Sequence, residues 1–250
     1  MRSGRVCAAA FAVCLAASLV SAQDARMFVA ATYYKCDVSS EDRADSIYRE
    51  TITPLIQKQV DAGKLIMSGY GRHWIGGEWR RLEYVGATSI SALVDARQAI
   101  LAELLEGPSA EAAKEFDALC PSHDDYVWSS VASSQAPDAV GQSRAKVGMS
   151  TYFVCGSREA EADAIVKTAF APVMNAHVKE GKIASWAWME HVAGGKYRRI
   201  LVIDVADHTS ALEYWYALDQ ALGEANPQLS RRFNEICPSH TDYVWDRGTE

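Results

Sequence analysis

The sequence predicts an α+β chain built from two tandem copies of one β-α-β-β-α-β unit, and three observations predict it. The chain repeats itself: Cys120-Pro-Ser-His-Asp-Asp-Tyr-Val-Trp128 returns as Cys237-Pro-Ser-His-Thr-Asp-Tyr-Val-Trp245 with one change. Residues Gly63 to Arg81 overlay Gly181 to Arg199 without a gap, sharing Gly-Lys, a histidine (His73, His191) and the run Gly-Gly-x-x-Arg-Arg. Each copy also passes through strand-like and helix-like periodicity in the same order. The copies span residues 25–130 and 145–250, joined over 131–144 by a Ser-, Ala- and Gln-rich linker.

Within a copy each element has its own signal. Phe28 to Cys36 alternates and is rich in Tyr and Thr, which suits a strand; Thr151 to Cys155 answers it. Glu41 to Ala62 places Ile47, Tyr48, Ile52, Leu55, Ile56 and Val60 at helical spacing, matched by Ile165, Val166, Phe170, Val173, Met174 and Val178. Gly63 and Gly181 stand where a helix end needs positive φ. Two strands follow, Leu65 to Ile75 and Glu78 to Ala87, joined by Gly76-Gly77, a dipeptide suited to a two-residue hairpin turn. A helix from Ser91 to Leu105, a shorter amphipathic segment to Leu119 and a last strand from Asp125 to Val131 complete the split βαβ order.

In that order the last strand lies beside the first and runs the opposite way. Cys36 at the end of strand one then meets Cys120 just before strand four, and Cys155 meets Cys237, so two disulfides within copies are expected. The rival is a metal site on Cys120-x-x-His123 and Cys237-x-x-His240. It is disfavoured because each copy offers only three ligands, and no metal is expected. Residues 1–22, with Arg2, Arg5, an apolar run to Val20 and small Ser21 and Ala22, read as a signal peptide. Export to the periplasm or medium follows, with no membrane attachment after cleavage. Loss of the two arginines takes the net charge from −7 to −9, which speaks against nucleic acid.

The element order, the long central hairpin and the duplication resemble the dimeric α+β barrel superfamily, which includes the antibiotic-biosynthesis-monooxygenase-like, EthD-like and NIPSNAP-like families. The resemblance covers nearly the whole chain after the signal. It implies two ferredoxin-like units packed as a dimeric α+β barrel inside one chain, so the protein is expected to be a monomer with an internal pseudo-dimer. It implies no particular reaction, because the fold hosts monooxygenases, haem enzymes, isomerases and plain binding proteins.

The hairpin sets a register in which Arg72 opposes Arg81 and Glu190 opposes Arg199. One face of the hairpins then carries Tyr70 and Arg81 in copy one, and Trp186, Trp188, Glu190 and Arg199 in copy two. The other face carries Gly69, Gly71 and Ala187, small residues that suit a close helix. The aromatic and charged face is therefore assigned to the space between the sheets, as the site for a small, partly aromatic ligand. Filling of the interface by those aromatics, with Glu190 and Arg199 paired, is the plainer alternative.

His73 and His191 are the candidate catalytic residues, as base or ligand in a cofactor-independent monooxygenase-like or haem-using enzyme. No cofactor is predicted outright; haem is the one the resemblance brings forward. A structural, self-associating role is the third reading. His123 and His240 are expected to bond locally with Asp125 and Asp242 at the start of strand four.

Overall fold

The computed structural model describes residues 26–135 and 145–247. The expected signal peptide and linker residues 136–144 lie outside the described residues. Copy one contains β1 (Phe28–Lys35), α1 (Glu41–Ile47), α2 (Thr53–Asp61), β2 (Met67–Ile75), β3 (Arg81–Ala87), α3 (Ile90–Leu105), α4 (Ser109–Leu119) and β4 (Ser122–Gln135). Copy two repeats the order with β5 (Val147–Val154), α5 (Glu159–Ile165), α6 (Ala171–Lys179), β6 (Ser185–Ala193), β7 (Arg199–Val205), α7 (His208–Ala225), α8 (Pro227–Ile236) and β8 (Ser239–Asp246).

The expected first helix is interrupted in both copies by one π-helical turn, Tyr48–Ile52 and Val166–Phe170. Pro54 and Pro172 follow directly and cannot donate an i→i−4 bond. The amide of Thr53 reaches back to the Tyr48 carbonyl instead, and that of Ala171 to Val166.

The strands form one closed antiparallel barrel in the order β1-β3-β2-β8-β5-β7-β6-β4. Each copy supplies four consecutive strands, and the two sheets share their edges: β2 pairs with β8 and β4 with β6. Strand four of copy one is longer than its sequence signal, starting at Ser122 and running to Gln135, because Ser129 to Gln135 pair with Glu190 to Ser185 of the other copy. Both expected disulfides form, Cys36 to Cys120 and Cys155 to Cys237, tying β1 to β4 and β5 to β8. All four of these cysteines are thereby withdrawn from the rival metal reading.

An eight-stranded barrel has an interior just wide enough for side chains to fill. Here it holds Tyr33, Trp79, Tyr126, Trp128, Tyr152, Tyr197, Tyr243 and Trp245 among its buried residues. Tyr33 stacks on Trp79 at 4.2 Å, and Tyr126–Trp128 and Tyr243–Trp245 stack at 5.0 Å. Outside the barrel, each sheet has its own core beneath its helices.

The hairpin registers are as expected, with Arg72 opposite Arg81 and Glu190 opposite Arg199. The assignment of faces is inverted. The face with Gly69 and Gly71 points into the barrel, and a Cβ at Gly69 would stand 2.2 Å from the Tyr84 hydroxyl oxygen. Small residues are needed there to admit large rings inside the barrel, not to admit a helix. The face with Tyr70, Arg81, Trp186, Trp188 and Arg199 lies under the helices.

Candidate functional site

A cavity of about 660 Å³ lies between the sheet of copy two and its helices. That size falls in the range of small-molecule pockets, roughly 300–1,000 Å³. Its floor is one row across the strands: Trp188 on β6 is paired with Leu201 on β7, and Leu201 with Thr151 on β5. The π-turn contributes Val166 and Phe170, α7 contributes Trp215 and Leu222, and α8 contributes Phe233. Thr151 continues the row to Asp242 on β8.

Polar groups gather at one side of this apolar chamber. His240, half-exposed, hydrogen-bonds Asp242 through Nδ1 at 3.1 Å, and Asp219, Ser230 and Asn234 also line the cavity. The Asp242 hydrogen bond raises the His240 pKa above its ordinary value; burial opposes it, and the charge of Asp219 adds to the rise. The cavity therefore joins aromatic walls to one imidazole held by a carboxylate.

The expected site residues are spread over three environments. Trp188 lines the cavity, held in place by its indole N–H, which donates to Asp163 at 2.8 Å. Trp186 is buried next to it in the copy-two core and donates to Asn175 at 2.9 Å. Tyr70 stacks on Tyr48 at 3.8 Å and its hydroxyl donates to Asp45. Arg81 and Arg199 are buried and engaged: Arg81 grips Asp45 with Nε and Nη2 at 2.5 and 2.9 Å, and Arg199 grips Asp163 at 2.7 Å through the same two atoms. They clamp α1 onto β3 and α5 onto β7. Glu190 does not pair with Arg199; it faces Arg26 at 3.4 Å.

His73 and His191 do not line the cavity. They sit where the copies join, His73 across from Trp245 and His191 across from Trp128. Arg80 donates Nη1–H to Nδ1 of His73 at 2.7 Å and Arg198 does the same to His191 at 2.9 Å, so in each neutral ring Nε2 carries the proton. Burial first, then the adjacent guanidinium, lowers both pKa values below the ordinary histidine value.

No protein-family model matches the sequence, and no curated protein matches it. Solved structures do match in shape. A candidate monooxygenase from Lactobacillus acidophilus NCFM superimposes with a TM-score of 0.57 at 8% identity, covering 88% of this chain and 92% of the other. An anthrone oxidase-like protein gives 0.55 at 13% identity, covering 89% and 92%. A candidate chlorite dismutase gives 0.50 at 10% identity, covering 88% and 94%. The chain has the dimeric α+β barrel fold. In this α+β barrel the two halves of the barrel come from one polypeptide, as the duplication predicts.

The α+β barrel's cavity can be tested for haem by its donors. Haem needs an axial ligand with a free lone pair and is helped by cations facing its propionates. The lining supplies His240, Met174 and Tyr216 as side chains of axial-ligand type, together with Asp219, and neither lysine nor arginine. Donors of axial type are present, but the lining offers haem propionates no cation, and on that ground the fit is incomplete.

The sequence reading missed Leu201, Trp215, Phe233 and His240. Two of them lie where the copies differ, Trp215 at the position of Arg97 and Leu201 at that of Glu83, whereas Phe233 and His240 are shared with Phe116 and His123 and read as structural.

Proposed function

We propose that this protein is an exported binding protein that holds a small, largely apolar and aromatic molecule with an acidic or hydroxyl group in the cavity of copy two. The observation that carries this reading is the chamber of Trp188, Leu201, Trp215 and Phe233 with His240 at its polar side. Aromatic walls favour a flat apolar body, and an imidazole at the cavity favours an oxyanion or hydroxyl able to hydrogen-bond it. Export is supported by the two disulfides, which persist in oxidising compartments, and by the signal-like residues 1–22. No helix among the described residues is long and apolar enough to cross a membrane.

Titration with 1-anilinonaphthalene-8-sulfonate and with naphthoic acid, followed by fluorescence of the cavity tryptophans, tests the reading. Saturable binding that Leu201→Trp abolishes supports it. Equal binding by the wild type and Leu201→Trp rejects it.

A second reading is favoured by the His240–Asp242 pair beside an apolar chamber: the bound molecule is a phenolic or anthrone-like substrate, and neutral His240, with its Nδ1–H held by Asp242, accepts its proton at Nε2. The likeness to an anthrone oxidase-like protein supports the choice of probe. Consumption of dissolved oxygen with anthrone, lost in His240→Ala, is the expected result. Retained oxygen consumption in that variant counts against it.

A further inference from the structure

The same three residues recur in both copies and are wired differently. In copy one, Thr32 on β1 donates its hydroxyl to Asp125 at 2.6 Å, and His123 turns Nε2 to the other oxygen of that carboxylate at 3.2 Å. In copy two, His240 meets Asp242 through Nδ1 at 3.1 Å, so its Nε2 is free of Asp242 and accepts a hydrogen bond when the ring is neutral. Thr151, the counterpart of Thr32, stands opposite Asp242 across β5 and β8, yet its hydroxyl does not bond to it.

The Thr151 side chain makes no hydrogen bond among the described residues, although the residue is only 9% exposed, and it lines the cavity of about 660 Å³ beside Trp188 and Leu201. Ser230, another hydroxyl of the lining, is already committed to the Leu222 carbonyl at 2.9 Å. A buried hydroxyl without a partner lowers stability, where a valine of the same outline would not. Thr151 and His240 lie on one face as diagonal neighbours, since Thr151 is opposite Asp242 and Phe153 is opposite His240. Diagonal β-carbons of this kind stand roughly 7–8 Å apart, a span that two oxygens on one edge of an aromatic ring can bridge with one hydrogen bond each.

We infer, taking the copy-two cavity as the binding site, that Thr151 sets its specificity and that its ligand is a neutral aromatic molecule with two hydroxyl groups on one edge, one bonded to Thr151 and the other to His240. Trp188, Trp215 and Phe233 enclose the ring. The Thr151 hydroxyl donates and accepts, so it pairs with a ligand hydroxyl in either sense. Asp219 in a lining without lysine or arginine favours neutral oxygens over a carboxylate at this end of the chamber.

Isothermal titration of the full chain under argon with 2-naphthol, 2,3-dihydroxynaphthalene and 2,6-dihydroxynaphthalene tests this. The expected result is about fivefold tighter binding of the 2,3-isomer than of 2-naphthol, the worth of one net hydrogen bond, with the 2,6-isomer no tighter than 2-naphthol. Thr151→Val is expected to erase that preference while leaving 2-naphthol binding unchanged, and Thr151→Ser to keep the preference. Because the Thr151 hydroxyl holds nothing in the free protein, Thr151→Val is expected to keep its Tm, whereas Thr32→Val loses the bond to Asp125 and melts lower with unchanged affinities. Equal binding of 2-naphthol and the 2,3-isomer by the wild type, a preference that survives in Thr151→Val, or a Tm lowered in Thr151→Val as in Thr32→Val overturns the role of Thr151 and leaves the cavity reading standing. Binding of none of the three molecules overturns both.

Discussion

His73 of copy one and Trp245 of copy two are direct partners across β2 and β8, and His191 and Trp128 are their counterparts across β4 and β6. Both repeated motifs therefore meet at the joins between the copies. The Gly-Gly turn of each hairpin also closes over the tyrosine of the other copy: a Cβ on Gly76 would stand 2.5 Å from the Asp242 carbonyl, and one on Gly194 would stand 2.6 Å from that of Asp125. Positive φ at both glycines, 140° and 131°, makes the turn costly for any other residue.

Replacing His73 or His191 by alanine is expected to lower stability by about 0.5–1.5 kcal/mol, since the bond from Arg80 or Arg198 loses its acceptor in a partly buried join while each arginine keeps its glutamate. Affinity for probes of the copy-two cavity is expected to stay unchanged. Urea unfolding combined with naphthoic acid titration checks both halves of the statement.

The same histidines set a pH dependence. Their folded pKa values lie below the unfolded value, so the stability they contribute is present above the ordinary histidine value of about 6.5 and is lost as pH falls through the folded values. Thermal unfolding between pH 8 and pH 5 is expected to show a falling Tm, with the slope reduced in the doubly substituted His73→Gln, His191→Gln protein.

Glu83 acts in the opposite direction. Burial raises its pKa, Arg97 opposes the rise and Asp125 adds to it, so the folded state holds a proton that the unfolded chain releases. Its contribution is favourable below the unfolded value and is lost as pH rises. Glu83→Leu is expected to raise Tm at pH 8 and to leave it nearly unchanged near pH 4, at about the unfolded carboxyl pKa.

Arg81 and Arg199 test the clamps. Arg81→Met leaves Asp45 and Glu41 without their buried cation and is expected to cost about 3–5 kcal/mol. Restoring compatibility with Asp45→Leu in the same chain is expected to recover a large part of that loss. Both changes can be read from chemical denaturation midpoints.

Each disulfide closes a loop of more than eighty residues, with sequence separations of 84 and 82. Cys155→Ser together with Cys237→Ser is expected to cost up to roughly 4 kcal/mol. Mass spectrometry of the unreduced protein is expected to find no free thiol among Cys36, Cys120, Cys155 and Cys237.

Much of the fold was legible because periodicity and duplication act locally. The hairpin register, the cysteine pairing and the eight strands follow from residues such as Gly76, Cys36 and Pro54 that constrain their own neighbourhoods. The face assignment failed because it asked only what lets a helix come near. Gly69 and Gly71 answer to Tyr84 and Trp245, which reach them only once the barrel closes. The candidate site was hidden for a related reason: Trp215 and Phe233 meet Leu201 by tertiary folding, and nothing in their spacing announces a void between them.

Closure of the barrel through β2–β8 and β4–β6 has an evolutionary consequence. A single copy standing alone would expose two strand edges and would need an identical partner to cover them, which forces both halves to carry the same residues. Fusion in one polypeptide lifts that constraint, since a change at Leu201 no longer imposes itself on Glu83. The two helix-covered faces are then free to differ, as Leu201 and Glu83 already do.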